Sequence, residues 1–472
     1  MVLGTTSGAG KSWLATALCR WYSRQGLKVA PFKAQNMSNN ARVVAGGEIG
    51  SAQYFQALAA RAEPDVRMNP LLLKPERDTH SQVVLLGQVD DELTRMPWHE
   101  RSAKVWPAIT GALDELRAQN DVVVIEGAGS PAEINLKHSD IVNMRVARHA
   151  DASCLLVTDI DRGGAFAHLY GTWALLGEAE RALVRGFVLN KFRGDASLLE
   201  PGPRMLEDLT GIPTVATLPM WRQHGLPDED GVFDERSVHG GAVHKTVAVV
   251  AYPRISNLDE FQALKNVPGV RLVWARSPAD VARADWIILP GSKHTGGDLA
   301  WLRSQGLDRA IAHHAQHGGA VLGICGGLQM LGEALIDTQG IDGNGPGLGL
   351  LPLVTVFEPA KLVKKTRARF GGMAGPWSAL SGVEVCGYEI HNGRTSQHAG
   401  MAPGRVAMAD GLAWQNEQGN VLGVYLHGLF EDAGVLHALF GARAPTLESV
   451  FEGLADFIDA RFAPGFMPDL IR

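Results

Sequence analysis

A chain of 472 residues, 46% of them hydrophobic, carries enough apolar material for two to four packed domains of about 150 residues each. A net charge of −6, from 44 Lys and Arg against 50 Asp and Glu, with no long basic run, lacks the electrostatic footprint of a nucleic-acid binder. No stretch reaches the ~18 apolar residues of a bilayer span, the N-terminus lacks a secretory layout, and four scattered cysteines without a CxxC pair argue against disulfides and zinc. The expectation is a cytoplasmic protein that handles small molecules, without nucleic acid or membrane as partner and compatible with a homo-oligomer.

In chain order, the first signal is GTTSGAGKS at 4–12. Gly4, Gly8 and Gly10 separate a very short strand from a helix that starts near Lys11, so Thr5 and the loop backbone can cradle nucleotide phosphates. Lys11 can reach the outer phosphates and the Ser12 hydroxyl can ligate Mg²⁺. The loop is one residue longer than the common GxxxxGK[ST] spacing, because Thr5 stands where glycine would be. Helical patterns at 12–25, 51–62 and 101–119 alternate with β-branched runs at 122–126, 154–159, 184–190 and 213–219, which implies a mostly parallel sheet covered on both faces. Glu126 and Asp159 close two of these runs, at the carboxyl edge where ligands of open α/β sheets bind. Both are candidates to support Mg²⁺, with Asp161 and Glu48 weaker. Lys33, after VAPF, could meet phosphate or a substrate carboxylate, and Asn190 ends a strand where it could read an adenine edge.

Periodicity is lost over 221–245, and a second α/β pattern follows at 246–252, 270–275, 285–291, 319–325 and 420–427. Cys325, in LGICGG, stands where a strand turns through glycines into a helix. Such a turn lifts a nucleophile clear and sets a helix N-terminus beneath it, which favours thiolate. Its base should be a histidine at another strand end, and VYLHG offers His427. Oxyanion donors are expected from the backbone at Gly326 and at Gly291 in the PGS turn. Cys19, Cys154 and Cys386 read as structural, and His313, His314 and His317 as a solvated helix face. Val450, Phe451, Leu454, Phe457, Ile458 and Phe462 form one apolar stripe of a terminal helix. The boundaries expected are a nucleotide domain at 1–225, a linker at 226–245, a second domain at 246–440 and a terminal helix and tail at 441–472.

GICGGLQML, PGSKHT and VYLHG together resemble the Cys–His glutaminase domain of class I glutamine amidotransferases, which implies a flavodoxin-like doubly wound sheet that frees ammonia from L-glutamine. Most members place a glutamate two residues after the histidine. Here Leu429 stands there and Glu431 lies further on, as in the branch attached to corrin-amidating enzymes, so the third triad member is left unassigned. In the first half, TTSGAGKS, PFKAQNMSNN, GEIGSAQ, RMNPLLLKP, EGAGSPAEINL, DIVNM, TDIDRGGAFA and LNKFRGD resemble the cobyric acid synthase family, whose P-loop NTPase-like ATP domain is akin to dethiobiotin synthetase. The resemblance spans nearly the whole chain. It implies ATP- and glutamine-dependent amidation of the b, d, e and g carboxylates of adenosylcobyrinic acid a,c-diamide to adenosylcobyric acid in cobalamin biosynthesis, one ATP per amide. The related cobyrinic acid a,c-diamide synthase typically carries a GPDYIDP-like segment where PFKAQNMSNN stands here. Amidation of another carboxylate, such as a cell-wall precursor, or a P-loop regulator whose glutaminase-like domain only binds, are the other readings.

Overall fold

The computed structural model describes residues 1–77, 80–222, 224–227, 243–398, 400, 403–441 and 446–471. The β-branched runs of the first half form a parallel sheet in the order Val29–Phe32, Val122–Ile125, Val2–Gly4, Cys154–Asp159, Val184–Phe192 and Thr214–Pro219. Only three residues long, the strand Val2–Gly4 survives in the middle because it is paired on both sides. Val2 bridges Glu126, and Val2, Leu3 and Gly4 register with Leu155, Leu156 and Val157. Helices Lys11–Arg24, Ser51–Ala59 and Trp98–Gln119 fill the expected helical stretches. All six strands present their carboxyl ends to one edge, where the loops after Gly4, Ile125, Asp159 and Asn190 gather.

Two small additions, antiparallel except where Gln35–Met37 runs parallel to Leu71–Arg77, were not visible as periodicity. One is the hairpin Ala41–Val44 with Gly47–Gly50, and the other is a sheet of Gln35–Met37, Leu71–Arg77, His80–Leu85 and Gln88–Val89. These strands are short and partly polar, so a period-2 signal cannot build up in them.

The second sheet has the order Val270–Ala275, Lys245–Val250, Trp286–Leu289, Ala320–Ile324 and Val421–Val424, all parallel, followed by antiparallel Ala413–Gln415 and Arg405–Met408. A long hairpin, Leu353–Arg369 with Glu384–Gln397, leaves this domain and reaches the hairpin at Ala41–Val44. The expected linker lies mostly outside the described residues. Of its flanks, Leu226 is buried in the core of the first sheet, and the second sheet already begins at Lys245.

The terminal stripe forms helix Leu447–Asp459, and it packs on the nucleotide-side domain. Val450, Phe451, Leu454 and Ile458 join Leu14, Ala17, Leu18 and Trp21 in one core. The buried Arg20 guanidinium fixes the register by pairing with Glu448 at 2.7 Å and Glu452 at 3.1 Å. No helix among the described residues is long and apolar enough to cross a membrane.

Candidate active site

Two constellations stand at the carboxyl edges of the two sheets. In the first, the loop after Val2–Gly4 runs into helix Lys11–Arg24. Gly10 holds φ at 100°, and a β-carbon there would fall 2.1 Å from the Asn190 amide nitrogen, so only glycine fits. Lys11 Nζ donates to the carbonyls of Thr6 and Gly129, each at 3.1 Å, which folds the ammonium back over the loop. Thr5 Oγ1 donates to Thr158 Oγ1 at 2.9 Å. Asn190 spends its amide on the loop itself. It donates to the Ala9 carbonyl at 2.9 Å and accepts from the Lys191 N–H at 2.9 Å, so here the side chain braces the loop.

Glu126 is the hub beneath this loop. Its Oε1 accepts from Ser12 Oγ at 2.8 Å and from Lys33 Nζ at 2.8 Å, and its Oε2 from the Gln56 amide at 2.6 Å. Burial disfavours the carboxylate, but the Lys33 ammonium and these hydrogen bonds outweigh it and hold the pKa below the ordinary value. Ser12 and Glu126 therefore offer two hard oxygens that fit Mg²⁺, with phosphate and water needed to complete the shell. Among the described residues no group of three or more His, Cys, Asp or Glu is gathered to hold a metal ion.

The other acidic candidates are committed elsewhere. Asp159 faces Lys191 Nζ at 2.9 Å, and the same ammonium donates to the Gly8 carbonyl at 2.7 Å. Asp161 accepts from Arg193 Nε at 2.6 Å. Glu48 is buried between Lys74, at 2.8 Å, and Lys361.

In the second constellation, Cys325 follows strand Ala320–Ile324 and holds φ 51° and ψ −106°. This is a strained conformation for a residue with a side chain, stored where a nucleophile is needed. The other cysteines differ. Burial pushes the Cys19 and Cys154 thiols up, and Cys386 is exposed. A β-carbon at Gly326 would lie 2.8 Å from the Ser292 N–H nitrogen, and one at Gly291 2.7 Å from His427 Cε1. The turn after Trp286–Leu289 is thus pressed against Gly326, next to Cys325, and against His427.

His427 stands close enough to Cys325 for the sulfur to act on its imidazole, and its Nδ1 lies 3.1 Å from Glu260 Oε1, while the Cys325 thiol itself donates to the Ile390 carbonyl at 3.5 Å. Glu260 Oε2 accepts the Gly428 N–H at 2.9 Å, and the glutamate is fully buried. Burial pulls the imidazole down, but Glu260 and the Cys325 sulfur outweigh it and raise the pKa from 6.5 to about 10. Glu260 was missed in the sequence because it stands 167 positions before its partner. The only available hint was a pair of acids, Asp259 and Glu260, between Leu258 and Phe261. Glu431, the nearer carboxylate in sequence, pairs with Arg42 at 2.6 Å.

A cavity of about 200 Å³ opens at Cys325, lined by Ser256, Thr295, Gln329 and Asn392 and closed on the other side by Asn39 and Lys74 of the nucleotide-side domain. This volume suits a ligand of amino-acid size. The segment 33–42 joins the two constellations. Lys33 holds Glu126 at one end. At the other, Asn40 Oδ1 accepts from the Leu258 N–H at 2.9 Å, Asn257 Oδ1 from the Ala41 N–H at 3.0 Å, and buried Arg42 pairs with Asp259, the neighbour of Glu260.

A P-loop α/β domain that carries a Lys–Ser–Glu phosphate-side cluster, joined to a doubly wound domain with a Cys–His pair at its carboxyl edge, defines the class of two-domain, nucleotide-binding glutamine amidotransferases. Two family models agree. The CobQ/CobB/MinD/ParA nucleotide binding domain matches residues 1–223 and the CobB/CobQ-like glutamine amidotransferase domain residues 246–435. Cobyric acid synthase of Variovorax paradoxus is 77% identical over all of this chain and 98% of its own length, and that of Polaromonas naphthalenivorans is 75% identical over all of this chain and 99% of its own. The chain belongs to the cobyric acid synthase family.

Proposed function

We propose that the protein amidates the b, d, e and g carboxylates of adenosylcobyrinic acid a,c-diamide, taking each nitrogen from glutamine and consuming one ATP per amide. The observation that carries this reading is the pairing of the Lys11–Ser12–Glu126 and Cys325–His427–Glu260 clusters at the two ends of one segment, 33–42, in a chain matched end to end by cobyric acid synthases.

A carboxylate does not acylate ammonia at neutral pH, so its oxygen first takes the γ-phosphoryl of ATP and ADP leaves. Lys11 balances the charge that spreads over the transferred oxygens. Mg²⁺ held by Ser12 and Glu126 would add Lewis-acid stabilisation. Thr5, Gly8 and Gly10 shape the cradle, while Asn190 and Asp159, through Lys191, keep it in form. Lys33 is placed to meet the substrate carboxylate or the phosphoryl group. Ammonia then forms the C–N bond, and inorganic phosphate departs with the electron pair of the broken C–O bond.

The ammonia arises when the Cys325 thiolate attacks the glutamine side-chain amide. The N–H groups at Gly291 and Gly326 stabilise the oxyanion, and the His427 imidazolium protonates the leaving nitrogen. Water then hydrolyses the glutamyl thioester. Incubation with cobyrinic acid in place of its a,c-diamide separates this reading from a,c-diamide synthesis: product is expected from the a,c-diamide alone, and amidation of the a and c positions would contradict it.

Glu260 orients His427 and holds its proton. Glu260→Gln should lower glutaminase kcat/KM by about 10²-fold or more while ammonium-driven amidation persists. Without the carboxylate, burial dominates and the imidazole pKa falls, so the alkaline limb of the glutaminase pH profile should move to lower pH. In the wild type the folded value exceeds the ordinary one. The pair therefore adds stability that is complete below pH 6.5 and lost as pH rises through about 10. Melting temperatures of wild type and Glu260→Gln across this window check the sign, and their difference should shrink toward pH 10.

Glu126→Gln keeps the shape of the hub and removes its charge. Amidation should fall by about 10²-fold with either nitrogen source, with a raised Mg²⁺ requirement. An unchanged rate across Mg²⁺ concentrations would make Glu126 purely structural.

A further inference from the structure

Four cavities can be compared as seats for a large substrate. One lies behind the sheet, at Met1, Asn120 and Asp121, on the side opposite the phosphate loop. A second, beside Lys365 and Arg367, is bordered by Arg42, Gly428 and Glu431 next to the His427 cluster and by no residue of the phosphate loop, and the third, of about 200 Å³, belongs to Cys325. The fourth, of about 800 Å³, opens at the carboxyl edge of the first sheet, against Gly129, the residue whose carbonyl receives Lys11 Nζ. This is near the upper end of small-molecule sites, about 300–1,000 Å³, a volume that a macrocycle fills and a single amino acid leaves mostly empty.

Its wall carries three large apolar side chains left open to solvent: Met37 at 60%, Leu136 at 48% and Trp98 at 40% exposure. Arg145 and Arg148 stand among its lining residues. Of the acids there, Asp140 is consumed by the N–H groups of Val142, Asn143 and Arg145, and Glu180 by Lys137 and the Gly177 N–H, which leaves Glu133 against the two guanidiniums. Gln35 also lines the cavity. It is 9% exposed, and its Oε1 is buried without a hydrogen-bond partner in the structure. A buried orphan acceptor awaits a donor from a ligand.

We infer that this cavity seats the corrin macrocycle, an assignment that rests on the functional reading above. Met37, Leu136 and Trp98 cover an apolar ring face. Arg145 and Arg148 meet peripheral carboxylates not in reaction, and Gln35 Oε1 accepts an N–H of the nitrogen being installed. The remaining carboxylate then points past Gly129 to the phosphate loop. Gln35 stands two residues from Lys33 and four from Asn39, which lines the Cys325 cavity, so the same segment borders the nitrogen source, the phosphoryl site and the ring.

Leu136→Asp is the test, because the position is exposed and the fold does not depend on it. With cobyrinic acid a,c-diamide as the probe, KM for the corrinoid should rise about 10-fold or more while KM for ATP and for glutamine stays within about 2-fold. Equilibrium dialysis, read by the absorbance of the corrinoid, should show the same loss of binding. Gln35→Leu should instead lower kcat with little change in corrinoid KM. Leu209→Asp, also exposed, on helix Gly202–Thr210 and outside the cavity, should match the wild type. If the wild type amidates the corrinoid and Leu136→Asp binds and turns it over unchanged, the cavity assignment is overturned. If the wild type releases glutamate from glutamine but leaves cobyrinic acid a,c-diamide unamidated, the functional reading fails instead.

Discussion

Cys325→Ala should abolish glutamine-dependent amidation and leave amidation driven by ammonium salt. The thiolate liberates ammonia and takes no part at the corrinoid, and Lys11, Ser12 and Glu126 do not line its cavity. The ammonium-driven rate should climb with pH as more of the nitrogen is unprotonated. His427→Ala should behave alike, and the double variant should lose no more than either single one, because both residues serve one step. Glutamate release and corrinoid amidation, followed in parallel, check this. Loss of the ammonium-driven reaction in Cys325→Ala protein that still binds ATP would place the cysteine in the second half-reaction.

Lys11→Ala should reduce amidation by about 10³-fold or to the detection limit with either nitrogen source, since without its ammonium no acyl phosphate forms. Basal glutaminase activity should survive, because Lys11 donates to Thr6 and Gly129 of the nucleotide-side domain and does not line the Cys325 cavity. Its amine also ties the loop to Gly129, so Lys11→Arg is the companion variant: the charge returns, the fit does not, and recovery should be partial at best. Full corrinoid amidation by Lys11→Ala would remove this loop from the reaction.

Much of this arrangement was legible as local pattern. The loop at 4–12 and the turn at 323–327 are readable because backbone geometry demands glycine at fixed spacing, and the parallel strands because both faces are apolar. The terminal helix announced its apolar stripe but not its partner. Only the fold reveals that the stripe closes on helix Lys11–Arg24, with Arg20 buried against Glu448.

Contacts made across long sequence separations were hidden. Glu260 carries no motif, since a carboxylate that orients a histidine can come from any element that reaches it. Proximity in sequence to His427 drew attention to Glu431, which instead neutralises Arg42. Asp159 shows the converse case. A strand-end carboxylate at the ligand edge looks like a metal support, yet a lysine from the neighbouring strand, Lys191, claims it. The hairpin at Ala41–Val44 and Gly47–Gly50, short and partly polar, gave no periodic signal, although it carries the residues that dock the two domains.

The central claim is that one chain couples glutamine hydrolysis to phosphoryl activation of corrinoid carboxylates. It is tested most directly by incubating the purified protein with ATP, Mg²⁺, glutamine and adenosylcobyrinic acid a,c-diamide, and by counting amides by mass spectrometry against ADP and glutamate formed. The account predicts a ladder that ends at four new amides, with one ADP and one glutamate for each. Glutamate and ADP released without any change in corrinoid mass, or amides formed without ADP, would contradict it.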